Sequence, residues 1–91
     1  MTRMLCRNKV ADFAKWKGVF DSHAQAHREA GLNLEHVWRS VEDPNNVFFV
    51  FEVSEIEKAR AFINVPGAAE VGKASGVLEG EYHFVEDSKG Y

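Results

Sequence analysis

One cysteine and two prolines among 91 residues leave this chain with little to stiffen it covalently. Cys6 alone cannot build an intramolecular disulfide framework, and the default expectation is a reducing, cytoplasmic setting. The seven glycines are spread singly, so no glycine-rich phosphate loop occurs, and no Ser-His-Asp motif or cysteine-rich metal site is found. No run approaches the ~20 apolar residues of a membrane span, and MTRMLCRNKV carries no signal-peptide core. A basic surface is missing too. Eleven Lys and Arg are scattered against fourteen Asp and Glu, for a net charge of −3. Neither nucleic acid nor a membrane is therefore expected as a partner.

What is present is a hydrophobic share of 45%, including seven Phe, enough for one globular domain. A chain of 10.3 kDa buries only about 64% of its unfolded surface, so a partner subunit would add useful burial. The clearest periodic stretch is Asp12 to Gly31. At about 100° per residue, Phe13, Trp16, Phe20, Ala24 and His27 share one side of a helix. Asp12 reads as its N-cap and Gly31 as its C′ stop, while Lys15, Gly18, Ser22, Gln25 and Glu29 face water.

Arg3 to Val10 alternates as a first strand, with Met4, Cys6, Asn8 and Val10 on one face. Leu32 to Glu42 reads as a second strand, with Leu34, His36, Trp38 and Ser40 together. Asp43-Pro44-Asn45-Asn46 is a turn, since Pro fixes φ and the Asp and Asn side chains close it. Val47–Val53 is apolar on both faces and belongs inside a sheet covered on both sides. Ser54 to Glu57 has the form of a capping box for a second helix, carrying Ile56, Ala59, Phe62 and Ile63 inward. Val65-Pro66-Gly67 interrupts that helix, and Ala68 to Ala74 reads as a further helical turn. Val77–Val85 is the last strand, with Leu78, Tyr82 and Phe84 on one face, and Glu86 to Tyr91 is a frayed tail.

The order β-α-β-β-α-β predicts an α+β, ferredoxin-like sandwich: an antiparallel four-stranded sheet in order 4-1-3-2 with both helices on one face. The second apolar face of Val47–Val53 then asks for a symmetry-related sheet, so a homodimer is expected. VADFAKWKGVFDSHAQAHREAG, EDPNNVFFVFEVSEIEKARAFI and PGAAEVGKASGV together resemble the dimeric α/β-barrel proteins, including antibiotic-biosynthesis-type monooxygenases. The resemblance covers nearly the whole chain. It implies a small-molecule pocket between helices and sheet, and no cofactor. If the protein is an enzyme, it implies cofactor-independent oxygenation or proton transfer on an aromatic or polyketide-like substrate. Haem-degrading members resemble the chain at Asn8. Their Trp and His, and the Trp and Tyr of the monooxygenases, have no counterpart between Ser54 and Gly80.

His27 is the titratable residue on the apolar stripe. Partial burial is expected to tune its pKa, ordinarily near 6.5, around neutrality for general acid or base work. A structural imidazole held by a local hydrogen bond is the alternative. Asn8 either orients a substrate carbonyl in the same pocket or bonds its own turn. Trp16 and Phe20 supply an apolar wall for a ligand. His23, Trp38 and Tyr82 complete the ligand-binding candidates, Trp38 serving otherwise in the core or a dimer contact. His23 and His27 stand one helical turn apart, but a metal would need a third ligand from His36, His83 or Glu81. No metal is expected. A non-catalytic binding or regulatory dimer remains the second class of reading.

Overall fold

The computed structural model describes residues 1–64 and 72–88. Strand β1 (Arg3–Val10) shows its alternation in its burial, with Met4, Cys6, Asn8 and Val10 turned into the core. Helix α1 (Phe13–Ser22) starts where the sequence signals it, the Asp12 carboxylate accepting from the amide of Lys15 at 3.3 Å.

The single helix expected from Asp12 to Gly31 is broken at His23. The Ser22 hydroxyl and His23 Nδ1 both donate to the carbonyl of Val19, at 2.6 and 2.8 Å. With that acceptor taken, the His23 amide turns to Phe20 O at 3.1 Å, a tighter i−3 bond. Helix α2 (Ala24–Glu29) then resumes and ends at Ala30.

Gly31 leaves the helix with φ +76°, and a Cβ there would lie 2.7 Å from Ser54 Oγ. Its carbonyl accepts from both the amide and the hydroxyl of Ser54, at 3.0 and 3.2 Å. Ser54 is therefore a tie between helix end and sheet and not the expected capping residue. Helix α3 (Ile56–Ile63) is capped at Glu55, without a side-chain bond. Gly31→Ala should cost about 2–3 kcal/mol in urea unfolding, summing the left-handed backbone penalty and one strained hydrogen bond. A loss below about 0.5 kcal/mol would show that this junction does not fix the chain's entry into the sheet.

Strands β2 (Leu32–Arg39), β3 (Asn46–Val53) and β4 (Val77–Val85) complete an antiparallel sheet of order β2-β3-β1-β4, as the topology requires. The β2–β3 turn closes through Asn46 N to Asp43 O at 2.9 Å and Asn45 N to the Asp43 carboxylate at 3.0 Å. Val47, Phe49, Phe51 and Val53 are buried under the helices.

Two bulges alter the expected faces. The register slips between Leu34 and His36, so Leu34 pairs with Phe51 on the helix side while His36 and Trp38 pair with Val50 and Phe48 on the other. A second slip opposite Lys9 and Val10 takes Leu78 out of the row of Tyr82 and Phe84 and leaves it exposed. Of the expected turn over Ala68–Ala74, residues 72–74 are described and helical; the Pro66 break lies outside the described residues. No described helix is long and apolar enough to cross a membrane.

Candidate functional site

Between the helices and the sheet lies a cavity of about 350 Å³, within the size range of small-molecule sites. The α1 stripe forms one wall. Trp16 stacks on Phe20 with ring centroids 4.7 Å apart, and Phe20 meets Phe49 edge-on at 5.2 Å. Asn8, Trp16, Phe20, His23, His27 and Tyr82, all singled out from the sequence, line this one space. Trp38 does not join them. The bulge in β2 turns it to the opposite face, where it stacks on His36 at 4.8 Å and stays half exposed.

Asn8 is 5% exposed, and its carboxamide is already engaged. With its amide oriented so that oxygen and nitrogen each meet a complementary group, it accepts from the Trp16 indole N–H at 3.1 Å and donates to Arg7 O at 3.0 Å. The bond satisfies the indole of a Trp that is only 2% exposed, so Asn8 ties the first helix to the middle of the sheet.

His27 sits among rings, with Phe20, Phe51 and Phe62 centroids at 5.0, 5.2 and 5.5 Å. No described residue hydrogen-bonds its imidazole. Burial, aided by the nearby His23, pushes its pKa down to about 4, well below the expected tuning around neutrality. The ring is thus neutral at pH 7, a hydrogen-bonding group more than a strong base. In His23, Nδ1 donates to Val19 O, which leaves Nε2 as the acceptor in the neutral ring. The groups considered as a third metal ligand are distant from this pair: His36, Glu81 and His83 pair with residues of the sheet's other face. Among the described residues no three His, Cys, Asp or Glu are placed to share a metal ion.

Tyr82 borders the cavity from β4, and burial raises the pKa of its phenol. Beside it Gly80 pairs with Asn8 across the sheet; a Cβ there would approach the Asn8 carboxamide to 3.2 Å and the Tyr82 hydroxyl to 3.7 Å. Sequence reasoning passed over Gly80, although a lone glycine inside a strand is a signal of close approach. Phe62 and the buried Ser75 were also missed as lining residues. Cys6 faces the core, and burial pushes its thiol to about 12, so it behaves as a small hydrophobe.

No protein-family model matches the chain, and no curated protein matches it in sequence. Solved structures do. A proposed antibiotic biosynthesis monooxygenase from Bordetella bronchiseptica superposes with a TM-score of 0.77 at 15% identity, covering 96% of each chain. A second, from Deinococcus radiodurans, gives 0.71 at 15% identity over 100% of this chain and 96% of its own. An uncharacterised NIPSNAP domain protein from Burkholderia xenovorans gives 0.69 at 9% identity, covering 98% of this chain and 96% of its own. At such identities the likeness is one of fold. The chain thus shares the ferredoxin-like fold of these structures.

Proposed function

We propose that this protein binds a neutral, flat, largely apolar small molecule in the cavity between helices and sheet, and that it does so as a homodimeric α/β barrel. The cavity's wall carries the reading: aromatic and aliphatic side chains with uncharged polar groups, Asn8, His23, His27, Ser75 and Tyr82, and no Asp, Glu, Lys or Arg among the described lining residues. A charged ligand would be desolvated there without a counter-charge, at a cost of several kcal/mol. A phenol or quinone would find both aromatic contact and hydrogen-bonding partners. Thermal-shift screening of neutral aromatics against their carboxylated analogues tests this, with the neutral members expected to raise the melting temperature.

The dimer reading is supported by the other sheet face. Leu5, Phe48, Val50, His36 and Trp38 form an apolar band there, with Leu5 and Trp38 substantially exposed in the single chain. Arg3 with Glu35, and Arg7 with Glu81, flank it. Sedimentation at micromolar concentration is expected to give about twice the chain mass of 10.3 kDa.

A catalytic reading rests on His27. Its nitrogens lack a described partner and so are open to a ligand proton. A base of pKa about 4 is weak, however, which favours binding and orientation over proton abstraction. The same shift predicts a pH dependence of folding. The unfolded chain protonates His27 below about 6.5, the folded one only below about 4. Between those values the unfolded state holds more protons, so stability rises with pH through the window and is fully restored above it. The loss on acidification is on the order of 1–2 kcal/mol, since the ring's partial solvent contact screens part of the penalty. His27→Gln should flatten this part of the profile and retain ligand binding. An unchanged acid limb would place the titrating group elsewhere, and full turnover by the variant on any substrate found would remove the catalytic reading.

A further inference from the structure

Asn8, a candidate from the sequence for orienting a ligand carbonyl, uses its carboxamide on Trp16 and Arg7. Its neighbour on the cavity wall is Tyr82. Tyr82 follows Gly80 by two residues along β4, and Gly80 pairs with Asn8, so all three share the side of the sheet under the helices. A Cβ on Gly80 would lie 3.7 Å from both the Tyr82 Cε2 and its hydroxyl oxygen, so the ring lies back along the strand over the glycine. That posture carries the hydroxyl toward the Asn8 carboxamide, whose nearest atom is 3.2 Å from the same point. In the orientation that satisfies the Trp16 indole, that atom is the amide nitrogen. The phenol oxygen therefore faces a donor. Burial raises the phenol's pKa and hydrogen bonding to Asn8 works against that rise, which puts the two groups in one partly covered corner. No described residue accepts a hydrogen bond from the Tyr82 hydroxyl. The imidazoles stand away from this corner. His27 rests on Phe51, which pairs with Met4, four residues from Asn8 along β1 and roughly 13 Å away at the usual rise of a strand. Trp16, Phe20 and Phe49 give the cavity an apolar middle.

We propose that the cavity selects an aromatic ketone or quinone, bound with its rings against Trp16 and Phe20 and its carbonyl oxygen accepting from the Tyr82 hydroxyl. The inference rests on the reading of this cavity as the ligand site, and it makes Tyr82 the residue that recognises the ligand's carbonyl. Asn8 acts through Tyr82. Its amide keeps the phenol oxygen as an acceptor, which leaves the hydroxyl hydrogen for the ligand. Trp16, Asn8 and Tyr82 then form a series in which each donor polarises the next. A carbonyl oxygen only accepts and so matches such a donor, whereas a ligand hydroxyl at that end would bring a second hydrogen needing its own acceptor.

The test compares 2-acetylnaphthalene with 2-isopropenylnaphthalene, which has the same shape with a methylene in place of the carbonyl oxygen. Each is titrated by calorimetry into the wild type and into Tyr82→Phe. The variant should bind the ketone roughly three- to tenfold more weakly, the range for one neutral hydrogen bond, and the hydrocarbon within about twofold of the wild type. In the wild type the bound ketone's carbonyl stretch should fall below its frequency in hydrocarbon solvent, and in Tyr82→Phe it should move back toward it. A ketone that binds both proteins alike, or whose loss the hydrocarbon matches, overturns the inference. So does a wild-type stretch at the hydrocarbon frequency, the measurement that decides if Tyr82→Phe does not fold. Neither ligand binding the wild type would instead sink the reading of the cavity as the ligand site, and this inference with it, so the two failures are told apart.

Discussion

Phe51→Ala is expected to lower the free energy of unfolding by about 3–5 kcal/mol, the cost of deleting a core aromatic and leaving its space unfilled. Phe51 is 2% exposed on an interior strand, and its ring meets Phe49 at 5.8 Å and the His27 ring at 5.2 Å. The position borders the cavity, so truncation enlarges a space that is already open, and little collapse can compensate. A small domain holds only about 5–15 kcal/mol in all, so the variant should melt far below the wild type. Urea unfolding measures the loss. A cost under about 1 kcal/mol would mean that β3 is not the centre of the fold.

If the proposed dimer forms through the outer sheet face, Leu5→Asp should have the largest effect on assembly. Leu5 lies midway along β1 on the outer face, between Val50 and His83. At 40% exposure in the single chain, a carboxylate there remains hydrated and the protomer folds. In a two-fold interface the same change is made twice, and each buried carboxylate costs several kcal/mol. The dissociation constant should therefore rise by about a thousandfold or more, giving monomer at micromolar concentration. A variant sedimenting as the wild-type dimer would place the interface elsewhere.

The architecture was legible because its signals are local and agree with one another. Asp12 caps, Gly31 stops, the Asp43-Pro44-Asn45-Asn46 turn closes, and the two-sided strand Val47–Val53 has to be interior. The cavity wall was legible to the extent that it rides on the Asp12–Gly31 stripe, which brings Trp16 and Phe20 of α1 and His27 of α2 to one cavity. His23, at the break between the two helices, joins them without belonging to the stripe. Three things were not. The break at His23 depends on two side chains competing for one carbonyl, and helical periodicity continues straight through it. The bulge at Glu35 reverses the parity of β2, so Trp38 could not be assigned a face by counting. Ser54 matched a capping box in its spacing, yet its hydroxyl is drawn to Gly31, 23 residues earlier in the chain, by the tertiary fold.

The two tryptophans lie on opposite sides of the sheet, which gives the central claim a direct readout. Trp16 lines the inner cavity and bonds Asn8 through its indole N–H, while Trp38 stands on the outer face. In a titration with 2-naphthol followed by the indole N–H resonances, the Trp16 signal should shift saturably and the Trp38 signal should hold still. A Trp38 signal that moves while Trp16 does not, or no saturable shift at either, would contradict a binding site between the helices and the sheet.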